Sequence, residues 1–288
     1  MKKDIIKLLI FSTLFFVSIM LLFSIRIMFH KSYIIDKNVT TIIAGDSHTQ
    51  FGINDIFLNG VQNISINAES YFYSYYKITE IFKHNPQIDH IILGFSYHNI
   101  SSYYDDYIFG KDAQSILLRY IDILSFESLT EMNLFSNSDL IRYILKALIS
   151  PSIDYSYIGK FVESKEKFDE DSMKTRINNQ FFFEKNVRNF SRINLKYLKK
   201  ITKLCGKYNI KFTLINTPLN RKYFDEIPPL FINTYFEIIQ EFDLTLIDFS
   251  ELYLSNDCFL PDGDHLNTFG AEKFTKMLND EIEINLSE

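Results

Sequence analysis

Apolar positions fall into three patterns along the chain. Residues 8–25 form one run without a charge, in which Ser12, Thr13, Ser18 and Ser24 are the only polar side chains. A membrane-spanning helix needs roughly 20 such residues, so the run sits at the lower edge of that range. Short β-branched stretches follow at 39–44 (VTTIIA), 61–66 (VQNISI), 90–95 (HIILGF), 211–216 (KFTLIN) and 244–249 (LTLIDF), and they predict five strands. Helical spacing marks 71–82, 231–242 and 186–205. In the last of these Val187, Phe190, Ile193, Leu198, Ile201 and Leu204 share a face, and Gly206 supplies the stop. A final helix is expected after Asn267 as N-cap, burying Phe269, Phe274, Met277 and Leu278.

Strands that read as continuous apolar runs and alternate with helices predict an α/β fold, with a parallel sheet covered on both faces. Residues 101–185 break the alternation. They are aromatic, locally polar and carry a charged stretch at 165–171 (KEKFDED). They read either as a mostly helical insertion capping the sheet or as ordinary helices of the main layer. The organisation expected is a membrane anchor and linker at 1–37 followed by one domain at 38–288.

The first apolar run exits into Ser24-Ile25-Arg26-Ile27-Met28-Phe29, with no small-residue cleavage site and no lipoprotein cysteine, so an uncleaved signal anchor is expected. Lys2, Lys3 and Lys7 precede the run while Arg26, Lys31 and Lys37 follow it. The free α-amino group tips this tie toward an N-terminus inside, in the cytoplasmic (inner) membrane, with the domain exported to the periplasm or exterior. The 15 residues from Arg26 to Thr40 span at most about 50 Å, which favours a substrate near the bilayer.

Charge narrows the partners. Residues 1–37 hold six Lys/Arg and two acids, net +4, which leaves the rest at −10 within a chain of net −6. Affinity for nucleic acid rests on neutralising phosphates with Lys and Arg, so no nucleic-acid partner is expected. Hydrophobic residues at 47% exclude a disordered chain. Cys205 and Cys258, the only cysteines, lack the multi-Cys spacing of a zinc site and read as small hydrophobes rather than a disulfide.

Two segments carry candidate chemistry. The first strand runs into Gly45-Asp46-Ser47-His48, at the carboxyl edge where open parallel sheets form their crevice. A serine at the start of the following helix exposes its Oγ, and its own N–H can face a developing oxyanion. The second segment, 260–267 (LPDGDHLN), sets Asp262 three residues before His265 on a turn. That spacing lets a carboxylate reach Nδ1 and leaves Nε2 for a nucleophile, the logic of an Asp-His-Ser triad. Asp264, adjacent to His265, is expected to point away. Taken singly, His48 reads as a surface histidine with a candidate substrate contact, Ser96 as a strand-end cap, and His98 and Asn99 as loop residues.

Together, the Gly45-Asp46-Ser47 turn and Asp262-x-x-His265 before a helix beginning Asn267-Thr268-Phe269-Gly270-Ala271 resemble the SGNH/GDSL hydrolase superfamily, over about residues 39–283. The resemblance implies a three-layer α/β/α flavodoxin-like domain, with Ser47 as nucleophile, His265 as general base and Asp262 as its orienter. No cofactor or metal is implied. The oxyanion donors implied are the N–H groups of Ser47 and Ala68. Ala68 stands where the family usually has glycine, and Ser96 where it usually has an asparagine donor, so Asn67, Ser96 and Asn99 are the candidates for a third donor.

Membrane-anchored bacterial relatives act on envelope glycans. The function expected is therefore a serine esterase or O-acyltransferase acting on acyl, particularly acetyl, groups of a glycan or acylated glycolipid, with a membrane acyl-transfer protein as a candidate partner. The alternatives are a catalytically impaired glycan-binding or assembly subunit, and a lipase or thioesterase. The same triad serves hydrolase and transferase, and the acceptor alone distinguishes them.

Overall fold

A computed structural model describes residues 2–28, 33–110, 112–133, 138–139, 141–142 and 158–286. The chain divides into two units, one of residues 1–32 and 124–157, the other of 33–123 and 158–288. In the first, Lys2–Met28 is a helix whose apolar side chains Leu8, Phe11, Leu14 and Phe15 are exposed. The Thr13 and Ser18 hydroxyls donate back to the carbonyls of Leu9 and Leu14, at 2.9 and 2.8 Å, which satisfies these polar groups within the helix. Among the described residues no helix is long and apolar enough to cross a membrane. The run at 8–25 ends among side chains that lie outside the described residues. The same unit holds the short helix Phe126–Glu131, capped by Ser125.

The second unit is built on a five-stranded parallel sheet. Its strands are β1 (Thr41–Ala44), β2 (Val61–Asn63), β3 (His90–Gly94), β4 (Lys211–Asn216) and β5 (Leu246–Asp248), in the order β2-β1-β3-β4-β5. This is the flavodoxin-like order, whose switch point between β1 and β3 opens the crevice at the strands' carboxyl ends. Ile43, Ile92 and Ile215 pack on one face with Phe274, Leu278 and Ala271 of the final helix, Thr268–Leu286. Alternation turns Ile42, Ile91, Leu93 and Leu214 to the other face, where they are equally buried, so both faces are covered.

All five expected strands form, and all but β4 are shorter than their sequence pattern. At the end of β2 the Asn63 side-chain amide donates to the carbonyls of Thr49 and Ile53, at 2.8 and 2.7 Å, and Ile64 and Ile66 N–H still donate to the carbonyls of Ile43 and Gly45. The expected helix at 186–205 begins instead at Arg192 and runs to Tyr208. Ser191 Oγ caps it by accepting from Asn194 N–H at 3.0 Å, while Asn186–Val187 pairs antiparallel with Phe182–Phe183. Gly206 lies inside this helix, and Asn209 ends it in the left-handed conformation at φ 56°. Asn267 caps the final helix as expected, its Oδ1 accepting from Gly270 N–H at 3.0 Å. Phe269 and Met277, expected in the core, are 49% and 43% exposed, and Ala271 and Thr275 take the buried positions.

Within residues 101–185 the structure has the turn Ser102–Tyr107, the short helix Ala113–Leu117 and the helix Glu170–Phe181. Residues 111, 134–137, 140 and 143–157 of that stretch lie outside the described residues. Cys205 and Cys258 are both free and buried, and burial pushes the Cys205 thiol up to about 12.

Candidate active site

Ser47 opens the helix Ser47–Gly52 directly beyond β1, at the crevice edge of the sheet. Gly45 makes the approach possible. Its φ of +147° disfavours L side chains, and a Cβ there would lie 2.6 Å from Thr49 Oγ1. Asp46 caps the helix, its Oδ1 accepting from His48 N–H at 2.9 Å. The turn after Phe259 brings Asp262 and His265 to the same place. His265 Nε2 lies 2.7 Å from Ser47 Oγ, and His265 Nδ1 lies 2.6 Å from Asp262 Oδ2. A carboxylate can only accept, so Nδ1 carries the proton and Nε2 accepts from the serine hydroxyl. Ser47 and His265 are 3% and 4% exposed.

Asp264 does not point away. It is fully buried, and its Oδ2 accepts from Arg176 Nε and Gln180 Nε2, each at 2.8 Å, and from His48 Nε2 at 3.1 Å. Its Oδ1 lies 3.2 Å from His265 Nδ1. Burial opposes ionisation of Asp264, but Arg176, His265 and His48 outweigh it and hold the carboxyl well below the usual range. For His265, burial favours the neutral ring, yet Asp262 and then Asp264 outweigh it and raise the imidazole above 6.5. A base must be neutral to accept the serine proton, so activity is lost as pH falls through that raised value. The acid limb of kcat/KM is expected above pH 6.5 in a pH–rate profile. A limb at or below 6.5 would contradict this electrostatic arrangement.

His48 is likewise not a surface residue. It is 3% exposed, stacks on His98 with ring centroids 4.1 Å apart, and faces the edge of the His265 ring at 4.8 Å. His98 and Asn99, read as loop residues, are buried ligands of Asp46. His98 Nε2 and Asn99 Nδ2 approach Asp46 Oδ2 at 2.9 and 2.7 Å, and the Tyr104 hydroxyl donates to the same oxygen. Burial would raise the Asp46 carboxyl, but His98, His48 and Tyr104 hold it well below the usual range. Burial beside His48 lowers His98 to about 4, so its ring is neutral near pH 7 and Nε2–H donates.

The candidate oxyanion donors separate. Asn99 uses both ends of its amide, Oδ1 accepting from Ser96 N–H at 2.6 Å while Nδ2 holds Asp46. Ser96 directs its hydroxyl to Asn216 Oδ1 and starts the turn Tyr97–Ile100, close to its reading as a cap. Asn67 gives its N–H to Gln50 Oε1 at 2.9 Å. Ala68 is different: its N–H has no partner among the described residues, and its φ is +62°, the region glycine adopts freely. Ser47 N–H, first in its helix, has no intrahelical partner either. Of the candidate donors, the Ser47 and Ala68 N–H groups therefore remain without a partner among the described residues, with a serine, a histidine and two carboxylates. His48, Asp264 and His265 also offer ligand atoms within 4.8 Å of one another, but Arg176 and Gln180 already occupy Asp264, and Ser47 and Asp262 occupy His265.

Asp264 could have been suspected from its place beside His265, whereas Arg176 and Gln180 carry no mark in the sequence. Both come from the helix Glu170–Phe181.

A family model whose description names no function matches residues 158–287. No curated protein matches the sequence. Among solved structures, the chain is similar to the psychrotrophic esterase EstA from Pseudoalteromonas sp. inhibited by monoethylphosphonate. The identity is 12%, the TM-score 0.41, and the match covers 86% of this chain and 100% of that one. It is also similar to a GDSL-like lipase from Bacteroides thetaiotaomicron at 9% identity and TM-score 0.40, covering 88% of this chain and 92% of that one.

Proposed function

We propose that the protein is a serine esterase or O-acyltransferase that works through an acyl-enzyme on Ser47. The observation that carries this reading is the unbroken line Ser47–His265–Asp262, at 2.7 and 2.6 Å. The N–H groups of Ser47 and Ala68, which have no partner among the described residues, are the donors proposed for the oxyanion. Ser47 Oγ attacks the acyl carbonyl carbon while its proton passes to His265 Nε2. The carbonyl oxygen, now negative, rests on the two N–H groups. The intermediate then collapses, the bond to the leaving alkoxide breaks, and His265 returns the proton to that alkoxide. Water or an acceptor hydroxyl, deprotonated by His265, attacks the acyl-enzyme and frees Ser47.

The substrate class proposed is an O-acylated, particularly O-acetylated, envelope glycan or glycolipid close to a membrane. It rests on the apolar run at 8–25, the short tether to β1 and the resemblance of the Ser47 and Asp262–His265 segments to membrane-anchored hydrolases. In the same reading the chain is a single-pass protein of the cytoplasmic membrane with its α/β unit exported.

The test is to treat the full chain with a fluorophosphonate and locate the label. Labelling on Ser47 supports the reading. Absence of labelling in folded protein would overturn it and favour a glycan-binding subunit. Turnover of p-nitrophenyl acetate with and without a glycan acceptor then separates the two activities, since a transferase forms acylated acceptor at the expense of free acid.

A further inference from the structure

On the esterase reading above, we infer that the buried pair Glu69–Lys77 is a positioning device that holds the Ala68 N–H in place for the oxyanion. Both side chains are fully buried, with Lys77 Nζ 2.5 Å from Glu69 Oε2 and 2.6 Å from the Ile64 carbonyl. Ser74 Oγ donates to Glu69 Oε1 at 2.7 Å, and the Tyr120 hydroxyl donates to Oε2. One lysine thus ties the two ends of the segment from Ile64 to Glu69 to each other. Lys77 itself belongs to the helix Tyr71–His84.

The other side of the segment is tied to the nucleophile turn. Ile66 N–H donates to the Gly45 carbonyl at 3.1 Å, and Gln50 takes Asn67 N–H at 2.9 Å while giving its own amide to the Ser65 carbonyl at 3.0 Å. Ala68 is left as the one residue between two anchored neighbours. An alanine in the left-handed region costs about 1–2 kcal/mol, so this conformation does not hold unaided. A buried ion pair is a poor source of stability, and apolar pairs of similar volume often replace one without loss. Its place here, next to a residue at a strained φ whose N–H has no partner among the described residues, fits control of geometry better than stability.

The experiment compares the full chain with Lys77→Met and with the double variant Glu69→Leu/Lys77→Met, which keeps the site apolar and packed. Active sites are counted by fluorophosphonate titration, so misfolded protein does not enter the rate. The expected result is a kcat per titrated site lower by roughly ten-fold or more, against the 10²–10³ known for complete loss of one oxyanion donor. KM and the acid limb of the pH profile are expected to stay in place, because neither substrate binding nor His265 is touched.

A folded variant with unchanged kcat per titrated site overturns the inference and leaves the esterase reading intact. No labelling of the unaltered chain overturns both. Should neither variant fold, hydrogen exchange on the unaltered chain decides: Ile66, Asn67 and Glu69 amides are expected to exchange as slowly as those of β1, and exchange at the rate of an open loop overturns the inference.

Discussion

Ser47→Ala is expected to lower kcat by on the order of 10⁶-fold, with a residual rate supplied by the oxyanion donors and substrate binding alone. The size follows from how the triad works: without Oγ, His265 and Asp262 have nothing to activate, so their contributions vanish with the nucleophile. The fold should not notice. Ser47 is 3% exposed and its hydroxyl bonds to His265, while the helix cap belongs to the neighbouring Asp46. Loss of one such hydrogen bond changes stability by about 1 kcal/mol. Thermal unfolding should therefore stay within a few degrees while turnover and fluorophosphonate labelling disappear. A variant keeping more than a thousandth of the activity would place the nucleophile elsewhere.

The sequence revealed the parts of this molecule that are decided locally. The cores of β1 and β3 read as short apolar runs because a parallel strand is buried on both faces. The Asp262–His265 contact is legible for the same reason, because the two residues lie on a single turn. Ser47 is 218 residues from His265, so spacing says nothing of that contact, and only the resemblance of the two segments to one family implied it.

Other features are decided by distant partners. Phe269 looked like core because it is apolar, yet the final helix is phased by Ala271, Phe274, Thr275 and Leu278, and Phe269 lies off that face. The start of the Arg192–Tyr208 helix was masked because Asn186 and Val187 are taken by a two-residue ladder with Phe182 and Phe183. Adjacency to His265 alone does not say where Asp264 points. Its direction is set by Arg176 and Gln180, more than eighty residues away in sequence. Nothing in the sequence marks His98 and Asn99 as partners of Asp46, about fifty residues away, whose carboxylate holds them in a buried site.

Asp262→Asn and Asp264→Asn are expected to fail in different ways, and the difference tests which carboxylate orients the base. At Asp262 the contact to Nδ1 is 2.6 Å, against 3.2 Å from Asp264. An asparagine at 262 can present its NH₂ to the imidazole, which favours the tautomer with the proton on Nε2, where it blocks acceptance from Ser47. A fall of about 10⁴ in kcat is expected, the size of the corresponding loss in a serine protease triad. Asp264→Asn leaves the Asp262 contact in place, so the plateau rate should fall far less. It removes one of the two negative charges that raise His265, so the acid limb should move to lower pH.

Asp264→Asn also leaves Arg176 without its charge partner. Breaking a buried pair costs about 3–5 kcal/mol, and the Arg176 side chain, 21% exposed, should lose less because water screens it. Lower thermal stability with a shifted pH limb and a largely preserved plateau is thus the signature expected of Asp264. If the 10⁴ loss fell on Asp264→Asn, and Asp262→Asn only shifted the limb, the orienter would be Asp264. Asp262, 26% exposed at the rim, would then be an auxiliary charge.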